Sequence, residues 1–353
     1  MDVDLSYGDL EVQSLRAVFT NNALVRTLNL SGNNIPSDVF INVMKDHVSH
    51  MRNLEELDVK NNKIGPDGAQ YLCKSITQNC PRMRYVDLSE NGILDESLVD
   101  VAHLLSDSCI ETLFLVSCHI TPRGVPTLCD GVLSSQHISS LSLAFNMLGD
   151  AGASYIARAL SSHPALRSLD ISDNRIGDVG AVDVAEHLIL SHHSRLEWLV
   201  LSVNPIGDIG FSAIGEALAR TRNPHLTHLD LGCSSNVGPG GRHAFIRHVR
   251  SMRYLFSLDL CSCNLSEEDA QNLRVAVLSP ICGIESIEWY NNPGITLPTE
   301  LALDAALKEK RSAKERRENH TRHICLTAAS LFTAVMITYA ASIILTRGRL
   351  KTK

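Results

Sequence analysis

A tenfold internal repeat constrains this chain more than any other feature of its sequence. The pattern apolar-x-x-apolar-x-apolar-x-x-Asn recurs at intervals of 27 to 30 residues. The ten units begin at Val25, Leu54, Met83, Ile110, Ile138, Leu166, Leu196, Leu226, Leu255 and Ile284. The clearest copies are LRSLDISDNRIGDVGAVDVAEHL from Leu166 and LEWLVLSVNPIGDIGFSAIGEAL from Leu196. A fixed period of this length indicates an architecture of stacked repeats.

Each unit predicts one strand followed by one helix. The run LxxLxL alternates with period two, and the later part of the unit places apolar residues at helical spacing, as at Ala181, Val184, Ala185 and Leu188. Strands stack about 4.8 Å apart whereas helices need roughly 10 Å, so such a stack must curve with its sheet on the inside. We therefore predict an α/β solenoid, a horseshoe of about ten repeats with a parallel sheet inside and helices outside, plus one C-terminal transmembrane helix.

The Asn at the ninth place of most units is predicted to be structural. Its amide lies where the chain leaves the strand and can satisfy backbone groups that adjacent turns would otherwise bury unpaired. Cys118 and Cys263 replace it in two units. A thiol is small and donates weakly, so these two residues are predicted to lie in the core. The Asn residues are Asn33, Asn62, Asn91, Asn146, Asn174, Asn204 and Asn292.

The motif LxxLDLSxNxIGDxGAxxLAxAL resembles the ribonuclease-inhibitor subclass of leucine-rich repeat proteins, which also includes the Ran GTPase-activating protein and the sensor repeats of NOD-like receptors. The resemblance covers roughly residues 25–298. It implies the horseshoe fold and a surface for binding proteins. The domain prediction is an N-terminal cap over 1–24, repeats over 25–298, a C-terminal cap and basic charged spacer over 299–323, a transmembrane helix over 324–345 and a short basic tail over 346–353.

Acidic residues fill six of the ten third-strand positions, which should face the concave side. One interpretation is that Asp is simply usual at this place in the motif. The other is a negative groove for a partner protein with a basic surface, in keeping with a balance of −15 over residues 1–307. The six are Asp58, Asp87, Asp170, Asp230, Asp259 and Glu288.

Apolar side chains occupy neighbouring concave positions where most other units have Ser, Asp, Lys or Gly. A cluster that contains Trp and Phe is typical of an interface anchor. Alternatively, these side chains pack on each other or lie under a loop. The predicted partner-binding residues are Phe114, Val116, Phe145, Trp198, Val200 and Val203, with Tyr85 and Tyr290 on either side.

The sequence contains no catalytic, cofactor or metal motif. Its ten cysteines form no C-x-x-C pair, and reduced thiols are favoured over disulfides. Its histidine clusters, His192-His193, His225/His228 and His243/His248, lack Cys or acidic ligands at zinc-site spacing, so solvated histidines are favoured over a metal site. We predict a protein that is not an enzyme and takes no cofactor, metal, nucleic acid or small-molecule substrate.

An uncharged apolar stretch, ICLTAASLFTAVMITYAASIIL, runs from Ile324 to Leu345. As a helix it would span about 33 Å, enough for a hydrocarbon core of about 30 Å. The start of the chain lacks the basic region and uninterrupted apolar run of a secretory signal. Together these features predict a tail anchor, inserted after translation, with the repeats facing the cytosol.

The mitochondrial outer membrane is favoured over the endoplasmic reticulum, because the span is only moderately hydrophobic and the end TRGRLKTK is basic. Basic residues around the span are predicted to contact lipid headgroups, the alternative being a solvated charged helix. These residues are Lys314, Arg316, Arg317, Arg322, Arg347 and Arg349.

Small residues recur every four positions along the predicted span and could pack on another membrane helix, the alternative being a helix that faces lipid. They are Ser330, Ala334, Thr338 and Ser342. The leading functional hypothesis is a membrane-anchored scaffold or adaptor that binds a protein on its concave face. The alternatives are a regulator like the Ran GTPase-activating protein, although KEKRSAKERRENHTRH stands where that family carries an acidic segment, and a structural subunit of a membrane complex.

Overall fold

A computed structural model describes residues 2–8, 24–47 and 51–315 of the chain. One compact unit spans Met1–Lys308, and Glu309–Lys353 form a second unit, of which only residues 309–315 are described. The first unit contains all the repeats.

Eleven strands of three residues form one parallel sheet in chain order among the described residues. Equivalent positions of successive repeats pair, so that Leu199 lies between Leu169 and Leu229. Each predicted unit contributes one strand, which confirms the strand prediction. The strands are β1 (Asp2–Asp4), β2 (Thr27–Asn29), β3 (Glu56–Asp58), β4 (Tyr85–Asp87), β5 (Thr112–Phe114), β6 (Ser140–Ser142), β7 (Ser168–Asp170), β8 (Trp198–Val200), β9 (His228–Asp230), β10 (Ser257–Asp259) and β11 (Ser286–Glu288).

The helices follow the strands one by one, so the chain is a solenoid with a parallel sheet on one side and helices on the other. A 3-10 turn, Asp95–Ser97, precedes the third helix, and a π-helix, Ala185–Ile189, continues the sixth. The helices are α1 (Ser37–His47), α2 (Gly65–Asn79), α3 (Leu98–Asp107), α4 (Val125–Ser134), α5 (Gly149–Ala159), α6 (Asp178–Val184), α7 (Asp208–Arg220), α8 (Pro239–Val249), α9 (Glu267–Val277) and α10 (Leu297–Glu315).

The first strand, β1, was not anticipated from the sequence. Asp2–Asp4 pairs in parallel with β2 and extends the sheet by one strand beyond the first repeat. Asn33 reaches back to it, since its Nδ2 donates to the carbonyl oxygen of Leu5 at 2.8 Å. The N-terminal cap predicted over 1–24 therefore contributes backbone to the sheet, and its residues 9–23 lie outside the described residues.

The Asn residues form the ladder that the repeat pattern predicts. The amide of Asn146 donates to the carbonyl oxygens of Leu115 in the preceding turn, at 2.8 Å, and Leu143 in its own, at 2.9 Å. Its Oδ1 accepts the backbone N–H groups of Cys118 and Ile120 at 3.0 and 2.9 Å. One buried side chain thus pairs four backbone groups that water cannot reach.

Cys118 and Cys263 lie in this ladder and are buried, as predicted. The Cys263 thiol points at the carbonyl oxygens of Leu231 and Cys261 at 3.3 and 3.5 Å. Burial raises the pKa of Cys263 to about 12, so the thiol stays protonated and unreactive. A third unit uses Ser234, whose Oγ donates to the carbonyl oxygen of Leu231 at 2.7 Å.

The GDxG segments link one repeat to the next. Asp150 Oδ1 accepts the backbone N–H groups of Gly177 and Gly180, at 2.7 and 3.0 Å, and so caps the helix of the following unit. Asp178 caps the next helix in the same way. A Cβ on Gly180 would stand 2.8 Å from Asp150 Oδ1, so glycine is required here by close packing between repeats.

A buried ion pair joins the last two repeat helices. Arg242 Nε on α8 donates to Asp269 Oδ2 on α9 at 2.8 Å, and both side chains are almost fully buried. The same carboxylate forms a capping box with Ser266 at the start of α9. Desolvation acts to raise the pKa of Asp269, but hydrogen bonds from the Ser266 backbone and from Arg242 outweigh it and hold that pKa below its ordinary value.

The predicted membrane segment lies outside the described residues. Within the described part of the chain, no helix is both long enough and apolar enough to cross a membrane. Lys314 falls within α10, but its side chain is not described. The other predicted lipid-contacting and helix-packing residues, Arg316, Arg317, Arg322, Ser330, Ala334, Thr338, Ser342, Arg347 and Arg349, also lie outside the described residues.

Candidate functional site

The face of the sheet that points away from the helices carries the predicted partner-binding residues. In each repeat strand the middle residue is buried among core leucines, while the first and third residues point to this face. The second and third residues after each strand lie beside them. We call this surface the sheet face.

Ring contacts define two aromatic patches on the sheet face. The first consists of Tyr85 on β4 and Phe114 on β5, whose ring centroids lie 5.6 Å apart. The second lies at β8 to β10 and consists of Trp198, His228 and Phe256. On this face β6 and β7, which carry Ser and Asp, separate Phe114 on β5 from Trp198 on β8, and Phe145 follows β6 between them.

The second aromatic patch is built around a parallel stack. The indole of Trp198 lies on the imidazole of His228, with ring centroids 3.5 Å apart and 7° between the planes. Phe256 contacts the other side of His228 at 5.7 Å. Burial lowers the pKa of His228 to about 4, so at neutral pH the stack is uncharged. The sequence favoured a solvated His228, whereas the structure half-buries its ring against Trp198 and Phe256. Its position next to Trp198 in the repeat alignment is the signal that identifies it as a neighbour.

The remaining apolar residues differ in exposure. Phe114 and Val200 are buried at 8% and 7% exposure although they lie on the sheet face, because neighbouring side chains cover them. Val116 and Phe145 are half-buried. Val203, next to the second patch, is exposed at 42%, and Tyr290 near the end of the sheet at 64%. Binding of a partner by any of these residues stays a prediction.

The acidic residues at the third position of the strands have a structural role that repeats along the sheet. Asp170 Oδ1 accepts the backbone N–H of Ser172, two residues on, at 3.0 Å. Asn29 in β2 makes the same bond to Ser31, so a carboxylate is not required for it. Equivalent bonds are made by Asp58, Asp87, Asp230 and Asp259 at 2.7 to 2.9 Å. This supports the interpretation that Asp is usual at this place in the motif.

Two neighbouring pairs of carboxylates lie on the sheet face. Burial and the adjacent Asp58 raise the pKa of Asp87 to about 7, and burial and the adjacent Asp259 raise that of Asp230 to about 7. Lys60 favours the charged form in the first pair. Among the described residues, no cation contributes in this way to Asp230. The negative charge of the sheet face therefore grows as the pH rises through neutrality.

Replacing both Asp87 and Asp230 by Asn is expected to make stability less dependent on pH. The folded protein binds these two protons more tightly than the unfolded chain, so their contribution to stability is greatest below pH 3.8 and is lost as the pH rises through about 7. At pH 8 the double variant should exceed the parent in free energy of unfolding by on the order of 2 kcal/mol. At about pH 3, below the ordinary Asp pKa of 3.8, the two should nearly coincide. Denaturant titration at both pH values measures this, and an equal difference at both would contradict it.

Three potential metal ligands come together elsewhere, on the sixth helix and its π-helical continuation. Asp183, Glu186 and His187 could bring one ligand atom each within 4.8 Å of one another. However, Arg158 Nη2 donates hydrogen bonds to both carboxylate oxygens of Asp183 at 3.0 Å. An ion pair of this kind explains the acidic side chain without a metal.

The repeats are recognised by comparison with known proteins. The family profile described as "Leucine Rich repeat" matches residues 50–73, 134–157, 162–185 and 222–245. The chain is a leucine-rich repeat protein with homologues similar to ribonuclease inhibitor. It is 32% identical over 139 residues to ribonuclease inhibitor from Sus scrofa, a match that covers 31% of this chain and 30% of that protein. The chain thus spans less than a third of the length of this relative.

Two solved structures share the fold. A leucine-rich repeat-containing protein, LegL7 from Legionella pneumophila, matches with a TM-score of 0.56 at 18% identity, over 88% of this chain and 98% of that one. A structure from the complex of Rad7 and Elc1 in yeast matches with a TM-score of 0.58 at 14% identity, over 86% and 73% of the two chains. At these identities the likeness concerns the fold alone.

Proposed function

We propose that this protein is a non-enzymatic scaffold or adaptor that binds a partner protein on its sheet face and is held at a membrane by residues 324–345. Leucine-rich repeat proteins generally mediate protein–protein interaction, and this supports the class of function. The binding of a partner on the sheet face and the anchoring in a membrane are parts of our proposal only.

One observation carries the proposal, namely the second aromatic patch with Val203 beside it. Trp198 is half-buried and stacks on His228, and Val203, three residues after the end of β8, is exposed. A large ring that is already ordered loses little conformational entropy on binding, which suits it to anchor an interface. The carboxylates of Asp230 on β9, the strand next to β8, and of Asp259 on β10, the strand beyond it, would favour a partner with basic residues at the rim.

Residues 324–345 support the membrane part of the proposal by sequence alone. Twenty-two uncharged residues are long enough to cross a bilayer as a helix. Basic residues flank them on both sides and would favour anionic headgroups. We infer an organelle membrane, with the mitochondrial outer membrane preferred over the endoplasmic reticulum, and repeats that face the cytosol.

Replacing Trp198 and Phe145 together by Ala is expected to remove the partner from the neighbourhood of the protein. Truncating a central aromatic anchor costs roughly 2 kcal/mol or more, about a 30-fold loss of affinity. Proximity labelling in cells with a biotin ligase fused to the full chain would show this loss. Tyr155→Ala with Val179→Ala, which removes two exposed apolar side chains from the helix side, is the matched control. Identical labelled neighbours for both double variants would refute the proposed site.

Membrane anchoring is tested on intact organelles. If the proposal is correct, the protein stays in the membrane fraction after carbonate extraction, and external protease removes the repeats. Replacing two apolar residues of the segment, Leu331 and Ile337, by Arg should release the protein, because each buried charge costs about 3 kcal/mol at the centre of a span. Repeats that resist external protease would show that the orientation is wrong.

A further inference from the structure

A groove lies on the helix side of the solenoid, between α8 and α9. Its volume is about 760 Å³. One wall consists of Ile246, Arg247 and Arg250 at the end of α8, and the other includes Val275 and Leu278 at the end of α9. The groove is on the opposite side of the repeats from the sheet face and is independent of the function proposed there.

Val275 breaks a rule that the other repeat helices obey. Its side chain is 73% exposed, at a helical position that points to solvent in every repeat that precedes it. The eight earlier repeats place a charged residue or His at this position, namely Lys45, Lys74, His103, Asp130, Arg158, Glu186, Glu216 and Arg247. Leu278, one turn further on, is 48% exposed. Two exposed apolar residues on one wall are an unpartnered surface in water.

Ile246 explains why there is space between the two helices. The position it occupies faces the following helix, and six preceding repeats fill it with Cys, Ala or Gly. Such small residues allow close contact: a Cβ on Gly131 would stand 2.4 Å from Ala102 Cα. The larger Ile246 side chain lines the groove instead. The small residues are Cys73, Ala102, Cys129, Ala157, Ala185 and Gly215.

The charge of the groove is mainly positive where its apolar residues are exposed. Arg247 and Arg250 are both exposed, and neither guanidinium pairs with an acidic residue in the part of the chain that the structure describes. The acidic lining residue, Glu268, belongs to the first turn of α9, at the other end from Leu278. His243, near Glu268, already lies 3.4 Å from Asp269.

We propose that this groove binds an acidic amphipathic segment of a partner protein. Apolar side chains of the segment pack on Val275 and Leu278, and its carboxylates pair with Arg247 and Arg250. Charge complementarity selects an acidic occupant, and walls on two sides favour a peptide segment over the flat surface of a lipid bilayer. The solvent-facing Val275 then gains the cover that its position otherwise lacks.

The probe is a helical peptide of about sixteen residues, roughly 24 Å long, with Leu along one face and Glu beside it. Binding to the full-length protein is measured by fluorescence anisotropy. Val275→Lys restores the type of residue that other repeats carry and should weaken binding about tenfold, as should Arg247→Glu with Arg250→Glu. Ile209→Lys, at another exposed apolar residue on α7, is the matched control and should bind like the parent.

Charge swapping identifies the groove as the site. A peptide with Lys in place of Glu should bind the Arg247→Glu, Arg250→Glu variant better than it binds the parent. The proposal is overturned if the Glu peptide binds no better than its Gln counterpart, or if Val275→Lys and Ile209→Lys weaken it equally. It is also overturned if the parent binds vesicles of phosphatidylserine and phosphatidylcholine but not the peptide, and the Val275→Lys variant no longer binds those vesicles. A loss of partners in the Trp198, Phe145 variant has no bearing on any of these outcomes.

Discussion

Replacing Asn204 by Ala is expected to lower the free energy of unfolding by roughly 3 to 5 kcal/mol, the largest effect of any single change considered. The amide of Asn204 donates to the carbonyl oxygens of Ile171 and Leu201 at 3.0 and 2.9 Å. Its Oδ1 accepts the N–H groups of Asn174 and Ile176 at 2.9 and 3.0 Å. The Ala variant leaves these four buried groups unpaired across two adjacent turns, each at a cost of about 1 kcal/mol. Denaturant titration measures the loss.

Two further variants separate the ladder from a general sensitivity of the fold. Asn204→Cys should cost clearly less than Asn204→Ala, because Cys118 and Cys263 occupy this place in other repeats and their thiols still reach the carbonyl groups. Asn236→Ala, at an exposed Asn in a loop, should change stability by less than about 0.5 kcal/mol. If Ala and Cys at position 204 destabilise equally, the hydrogen bonds of the ladder are not what holds the turns together.

Replacing Arg242 by Ala is expected to cost roughly 3 kcal/mol, because it leaves the buried carboxylate of Asp269 without its charged partner. The Arg242 side chain also donates from Nη1 to the carbonyl oxygen of Val237 at 2.9 Å, and that carbonyl loses its donor too. The exposed pair Arg220–Glu216 has the same 2.8 Å separation. Arg220→Ala should therefore cost less than about 1 kcal/mol, since water screens that pair.

A double variant tests whether the ion pair acts as a unit. Other repeats carry Gly and Ala at the places of Asp269 and Arg242, as at Gly152 and Ala153. Arg242→Ala with Asp269→Gly should thus be less destabilised than the two single variants predict by addition, by at least about 1 kcal/mol. Strict additivity would show that the two residues act separately.

The period of the repeat predicted the parts of the fold that depend on local pattern. Alternation at Leu199 and its equivalents defined the strands, and the ninth-place Asn residues defined the ladder, because both follow from spacing within one unit. The pairing of β1 did not follow, since Asp2–Asp4 carries none of the repeat pattern and is ordered by the backbone of β2. The capping of one helix by Asp150 of the preceding unit was also missed, because it depends on the stacking of two repeats.

The candidate site was predicted in part. The alignment of the repeats placed Trp198 and Phe114 on the sheet face, but it did not predict the distance between the two side chains. The sequence also favoured a solvated His228, whereas packing stacks its ring on Trp198. Exposure was the least predictable property, since Phe114 and Val200 are covered by neighbours from other strands. The exposure of a side chain on the sheet depends on its own repeat and on the repeats on either side. The sequence of one repeat therefore does not predict it.

Photo-crosslinking tests most directly the central claim that the sheet face binds a partner protein. A photoreactive phenylalanine analogue is placed at Val203, beside the second aromatic patch, and in a matched protein at Val179, an exposed apolar residue on α6. Irradiation of cells should give a discrete crosslinked protein from position 203 and not from position 179, and Trp198→Ala should abolish it. A crosslink from position 179 alone, or one from position 203 that survives the loss of Trp198, would contradict the assignment of the binding site.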